Sequence, residues 1–126
     1  MKKFIILYHA PFDAMQQTAN MTPEEQAKGM EAWMQWAKQC GDKLVDLGSP
    51  LMHGQELLPN GQAISSDREV AGYSILQAND MNEVKSLLKG HPHLQWNAGC
   101  SIEIHESMPL PGMYLIAPGI NSSRKG

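Results

Sequence analysis

The chain is poor in several of the features that would announce a function outright. Its 126 residues contain only two cysteines, Cys40 and Cys100. Their separation matches neither a zinc ribbon nor a redox Cys-x-x-Cys, so both read as buried free thiols. No stretch approaches the ~20 consecutive apolar residues of a membrane span. Positive charge is also short, since ten Lys and Arg stand against thirteen Asp and Glu for a net charge of -3. That balance offers no basic field for a phosphate backbone, and nucleic acid is not an expected partner. A Gly-rich phosphate loop and a Ser nucleophile elbow are both missing, and with them the usual signs of nucleotide or acyl-transfer chemistry. Lys2 and Lys3 precede the apolar run Phe4 to Tyr8 and so imitate a secretion signal. His9, Pro11 and Asp13 interrupt the run before an h-region of about 7 to 15 residues is reached, so cytoplasmic residence is expected.

What is present fits one small domain, long enough to bury a core without disulfides or metal. Phe4-Ile5-Ile6-Leu7-Tyr8 is β-branched and aromatic with no polar alternation, the pattern of a central strand covered on both faces. Pro11 lacks the N–H a ladder needs, and the segment from there to Met21 reads as loop. Thr22-Pro23-Glu24-Glu25 carries a capping box with Pro at the first helical position. The helix it starts places Ala27, Met30, Trp33, Met34, Ala37 and Cys40 on one face and ends at Gly41.

A weaker strand follows over Lys43 to Leu47, then a turn-rich stretch with Asn60-Gly61, flanked on either side by a short strand. Val70 to Gln77 reads as a third main strand. Asn79 or Asp80 caps a second helix whose apolar stripe is Met81, Val84, Leu87 and Leu88. In Cys100 to Glu106 the apolar Cys100, Ile102 and Ile104 alternate with Ser101, Glu103 and His105, as a half-buried strand requires. The order strand, helix, strand, strand, helix, strand is a split βαβ, so the fold class expected is α+β and ferredoxin-like. Two helices cover one sheet face, leaving the other to water or a second subunit; a sheet-to-sheet homodimer is the economical answer. Residues 1–113 form the expected domain and 114–126 a C-terminal tail, its last six residues polar and unstructured.

Five pieces in order carry a family likeness: the opening Lys-Lys-Phe-Ile-Ile-Leu-Tyr, the Met21 to Glu25 cap, Gly72-Tyr73, Gly90-His91-Pro92-His93-Leu94, and Ser101 to Glu106. Together they resemble the YCII-related family, over roughly Lys3 to Met113. The resemblance implies a dimeric ferredoxin-like α/β barrel with a cleft in each subunit and a His and Asp pair as acid and base. Two departures stand out. The helix from Pro23 to Cys40 has no His, and Ser65-Ser66-Asp67-Arg68-Glu69 stands where one branch of the family has Asp-Gly-Pro-Phe.

His91-Pro92-His93 presents two imidazoles on what reads as a stiff turn. Imidazole titrates near neutral pH, which suits His93 to general acid or base work; the structural alternative has His91 capping a helix end and His93 bonded to backbone. His9 ends the central strand, and Asp13, four residues on, is placed to orient it. The catalytic candidates are therefore His93, His9 and Asp67. Arg68, His91, Trp33 and Ser65 are candidates for binding substrate, Arg68 by a forked contact with an oxyanion. Trp33 with Met30, Met34 and Trp36 could line an apolar pocket, although a Met and Trp stripe on a helix is more often core. The helical His-Glu-x-x-His spacing is absent, so neither a metal nor an organic cofactor is expected. The function read from these residues is a small-molecule enzyme doing proton transfer, of isomerase or lyase type. The alternative is a ligand-binding or dimerisation module without turnover.

Overall fold

Phe4, Ile6 and Tyr8 point to one side of strand β1 (Lys2–His9) and are excluded from solvent, while Ile5, Leu7 and His9 point to the other and remain half-buried. The coverage on both faces that the run predicts is thus met on one face within a single chain. The structure, a computed structural model, describes residues 1–111. Expectations for the tail over 114–126, and for the last residues of the 1–113 domain, fall outside the described residues.

Strand β1 is followed by helices α1 (Phe12–Ala19) and α2 (Pro23–Cys40), then strands β2 (Leu44–Asp46), β3 (Gln55–Leu57), β4 (Ala63–Ser65) and β5 (Val70–Ala78). Helices α3 (Met81–Leu88) and α4 (Pro92–Trp96) and strand β6 (Ser101–Ser107) complete the described residues. The main sheet has the order β2-β5-β1-β6 with every neighbour antiparallel, and β3 and β4 form a separate two-stranded sheet. The protein is therefore a mixed α+β fold. Among the described residues no helix is long and apolar enough to cross a membrane.

The core lies between the helices and one sheet face. Phe4, Ile6, Tyr8 and Leu76 from the sheet meet Trp36 and Cys40 of α2 and Val84 and Leu88 of α3. Burying each large side chain of this set contributes about 1.5 to 3 kcal/mol. Ile102 and Ile104 of β6 pack against the same cluster, on the side the alternation predicts. In α3 the Asp80 carboxylate accepts from the Glu83 amide, and Val84 and Leu88 are its buried residues, as the stripe requires.

Three local expectations are corrected. The stretch after Pro11 is not a loop, because Phe12–Ala19 is helical. Pro11 ends the strand, yet its φ of -58° leads directly into a helix, and the eight residues after it contain no breaker. The face of α2 turned to the core carries Trp36 and Cys40, both buried, with Trp33 and Ala37 half-buried beside them, whereas Met30 and Met34 are half exposed. The helix meets the body only through its second half, where the Trp36 Nε1–H donates to the Leu87 carbonyl over 2.9 Å. Lastly, Pro92 does not hold an irregular turn but occupies the first position of α4, capped by His91.

The capping box of α2 is present in both directions: Thr22 Oγ1 accepts from the Glu25 amide at 3.2 Å, and Glu25 Oε1 accepts from the Thr22 amide at 2.9 Å. The second contact holds the Glu25 carboxyl below its ordinary range. Thr22→Ala leaves a first-turn amide without its acceptor and is expected to cost roughly 0.5 to 2 kcal/mol in urea unfolding. Because Thr22 to Glu31 are exposed, a loss of helical ellipticity without any change in the unfolding midpoint would mean that this turn frays independently of the core.

Candidate functional site

Two His clusters lie on opposite sides of the sheet. His91 and His93 are turned inward with the core. His91 is fully buried in a cage of aromatic rings, its centroid 4.4 Å from Trp36, 4.5 Å from Trp33 and 5.2 Å from Tyr8. Its Nδ1 accepts from the His93 amide at 2.9 Å, which leaves the proton on Nε2, facing the Tyr8 hydroxyl at 3.5 Å. Tyr8 donates to Ser74 Oγ over 2.8 Å and Ser74 donates to the Leu47 carbonyl over 2.6 Å. Every donor in this chain points the same way, so four buried polar groups are satisfied without a charge. Burial, and secondarily the neighbouring His93, pushes the His91 pKa down to about 3; burial drives the Tyr8 hydroxyl up to about 12. His91 is thus a neutral core residue that starts α4.

His93 is 4 % exposed, and its Nε2–H donates to the His9 carbonyl over 2.8 Å. Burial lowers its pKa, against the opposing effect of hydrogen bonds to the backbone of His9 and Ser101. The ring ties the end of β1 to the start of β6. Trp33 stands edge-on to Tyr8 at 4.9 Å and belongs to the same cage.

The second cluster lies on the sheet face that carries no helix. Here β1 and β6 pair with His9 opposite Ser101, Leu7 opposite Glu103 and Ile5 opposite His105. Side chains at these positions share one face, and diagonal neighbours come within reach of long side chains. Glu103 uses both oxygens: Oε1 meets His9 Nε2 at 2.9 Å and Oε2 meets His105 Nε2 at 3.1 Å. The bond from His9, followed by that from His105, holds the Glu103 carboxyl below its ordinary range. The other nitrogen of His9, Nδ1, lies 2.8 Å from the Arg68 carbonyl. Both partners of His9 are acceptors, so the ring donates to both at once only when doubly protonated. His105 is engaged through Nε2 alone; among the described residues its Nδ1 has no partner and faces solvent on a side chain 57 % exposed.

Asp13 does not orient His9, because its carboxylate accepts from the Ala14 amide inside α1, and Glu103 takes that place. Asp67 and Arg68 form an exposed pair at 3.7 Å, a contact that solvent screens heavily. Arg68 reaches His9 through its backbone carbonyl rather than its guanidinium. Ser65 is exposed on β4. Glu69, at a φ of +57°, accepts from the Ala10 amide with its carbonyl and from the Phe12 amide with its carboxylate, pinning the loop before β5 against the start of α1. Both cysteines are free, Cys40 buried and Cys100 half-buried, and burial pushes the Cys40 thiol up to about 11.

Glu103 is the residue that sequence reasoning passed over. Its signal was the alternation that sets Ser101, Glu103 and His105 on one face, but the neighbour of His9 follows only from the β1–β6 register. Against protein-family models and curated proteins, the chain finds no match.

Proposed function

We propose that the open sheet face is a small-molecule site that performs proton transfer through His105, Glu103 and His9, in an isomerase or lyase type of step. The observation that carries this reading is the Glu103 carboxylate bound to an imidazole on each oxygen. Glu103 draws the His105 proton to Nε2 and leaves the Nδ1 lone pair directed outward, the arrangement a general base needs. His105 Nδ1 would accept a proton from the substrate. His9, hydrogen-bonded to Glu103, would face the negative charge that develops there, and the same His105 would return the proton at the adjacent atom. His93, the stronger candidate from the sequence, is held on the His9 backbone and acts in this reading by positioning His9.

The strand order β2-β5-β1-β6 supports a ferredoxin-like split βαβ, and the resemblance to the YCII-related family supports the pairing of two such sheets. In that arrangement the open faces of two copies enclose the site, and Ile5, Leu7, Tyr73 and Ile75 supply its apolar walls. A second reading, a ligand-binding module without turnover, is favoured by the exposure of half of Glu103 and more than half of His105, which leaves both groups wet in one copy.

Native mass spectrometry of the protein, purified without denaturation, tests the site. A small molecule retained by the wild type and lost from both His105→Ala and Glu103→Gln is the expected result. Retention by both variants would place the ligand elsewhere and remove the proposal. If the molecule is converted by the wild type, and Glu103→Gln lowers its turnover by about 10²-fold or more, the enzyme reading holds over the module.

A further inference from the structure

Residues 51–66 leave the body from the edge of β5 as an arm. The root is held by the Leu51 amide on the Ala71 carbonyl, by a bridge between Pro50 and Gly72, and by the Ser66 amide on the Gly54 carbonyl. Beyond the root, β3 and β4 pair with each other and form a sheet of their own, turning at Asn60-Gly61. No residue from Leu51 to Glu69 is buried. A two-stranded hairpin by itself is at best marginally stable in water, so an arm of this length needs a surface to lie on.

Its composition indicates what kind of surface. Glu56 is its one charged side chain, in a chain that is 18 % charged, so the arm lacks the solvating charges with which proteins ordinarily protect exposed strand edges. In their place it exposes Leu57 at 74 %, Met52 at 60 % and Ile64 at 47 %. Depletion of charge is a compositional mark of an interface centre, and Met is among the residue types enriched there.

The area available on the open sheet face points to the occupant. Three long strands and the short β2, spaced ~4.8 Å apart and rising ~3.3 Å per residue, give that face a footprint of roughly 400 Å². A stable complex buries ~800 Å² of accessible surface per partner, about twice that flat footprint. The arm starts from the same β5 edge and adds its exposed apolar side chains beside that face. In a two-fold pair each copy offers the same arm and the same face, so one contact is made twice.

We propose that the arm, residues 51–66, packs on a second copy of this chain and extends a sheet-to-sheet contact into a stable dimer. The inference rests on the paired-sheet reading given above for the site. It adds that Leu57 and Ile64 lie in the interface, and that the loop continuing from the arm through Arg68, whose carbonyl holds His9, is anchored by dimer formation.

Sedimentation velocity across a concentration series tests this with wild type, Leu57→Lys/Ile64→Lys and Ile75→Lys. Leu57 and Ile64 are exposed in the single chain, so the double variant leaves the monomer fold intact. A wild-type dimer, with dissociation constants raised at least 100-fold in the arm variant and in Ile75→Lys, is the expected result. An arm variant that dimerises within two-fold of wild type, while Ile75→Lys dissociates, overturns the arm and leaves the paired sheets standing. The reverse pattern keeps the arm and removes the sheet contact. A wild type that stays monomeric at micromolar concentration removes both. Hydrogen exchange supplies a readout independent of substitution: the Leu58 amide, bonded to the Gln62 carbonyl in the turn, should exchange at least tenfold more slowly at dimer than at monomer concentrations. Equal rates would overturn the arm contact even where a dimer forms.

Discussion

Gly48→Ala is expected to remove a large part of the protein's stability and to lower its melting temperature steeply. The chain turns from β2 at Gly48 with a φ of +79°, and a Cβ built there would lie 1.8 Å from the Tyr73 carbonyl oxygen and 2.7 Å from its carbon. Both are backbone atoms of β5, the strand that joins β2 to the sheet, so neither can move aside like a side-chain tip. The Gly48 amide is also tied to Asp46 Oδ1 at 2.8 Å, which fixes the turn against rotation. Relief requires pulling β2 from β5 or twisting the turn, and the cost belongs with the exceptional substitutions of about 4 kcal/mol or more. Stability for a domain of this size is only ~5 to 15 kcal/mol in total. Gly61→Ala provides the control, since Gly61 has a φ of +90° but no atom within 4 Å of the added methyl. It should lose about 1 to 2 kcal/mol from backbone strain alone. Thermal melts followed by circular dichroism separate the two; similar melting temperatures would show that the β2–β5 edge yields easily.

Acidification should destabilise the fold in a window set by the inward histidines. The unfolded His91 imidazole titrates near 6.5, while burial holds the folded ring at about 3. Above pH 6.5 neither state takes up the proton and the full stability is present. Between 6.5 and about 3 the unfolded chain binds a proton that the folded one refuses, so stability falls by about 1.4 kcal/mol per pH unit for this group. His93, lowered chiefly by burial, acts in the same direction. Glu103, Glu25 and Glu83 are held below their ordinary value of 4.5, so their contribution is lost only at lower pH. Between pH 7.5 and 4.5 the wild type should therefore lose roughly 2 to 4 kcal/mol, read as a shift in the urea midpoint. His91→Asn keeps an acceptor for the His93 amide but removes the titrating ring from its aromatic cage. It should be about 2 to 4 kcal/mol less stable at pH 7.5, and its stability should depend less steeply on pH than that of the wild type. A wild type with equal midpoints at both pH values would mean that His91 is charged or wet in the folded state.

The site was legible only in pieces. His9, His91 and His93 stand out in the sequence as imidazoles, and His105 only as a polar residue of an alternating strand, but imidazole chemistry depends on which atom each nitrogen meets. His91 and His93 read as a presented pair, because the proline between them signals a stiff turn. The same proline is equally suited to the first position of a helix, and packing of α4 on α2 chose that use and buried both rings. His9 and Glu103 are 94 residues apart in the chain, and no local pattern links them.

Local chemistry was sufficient where one turn of chain settles the matter. The capping box of α2, the Asp80 cap of α3, the Asn60-Gly61 hairpin, the stripe of α3 and the alternation of β6 follow from hydrogen-bond partners and periodicities within a few residues. So does the strand character of Phe4 to Tyr8. The tertiary structure decided what depends on distant neighbours. It made α1 out of a segment whose strongest local signal was a strand-ending proline, and it buried Trp36 rather than Met34 because α3 offers a carbonyl at Leu87. It brought Glu103 between His9 and His105 through the β1–β6 register, since a side chain's cross-strand partner is set by how the whole sheet assembles.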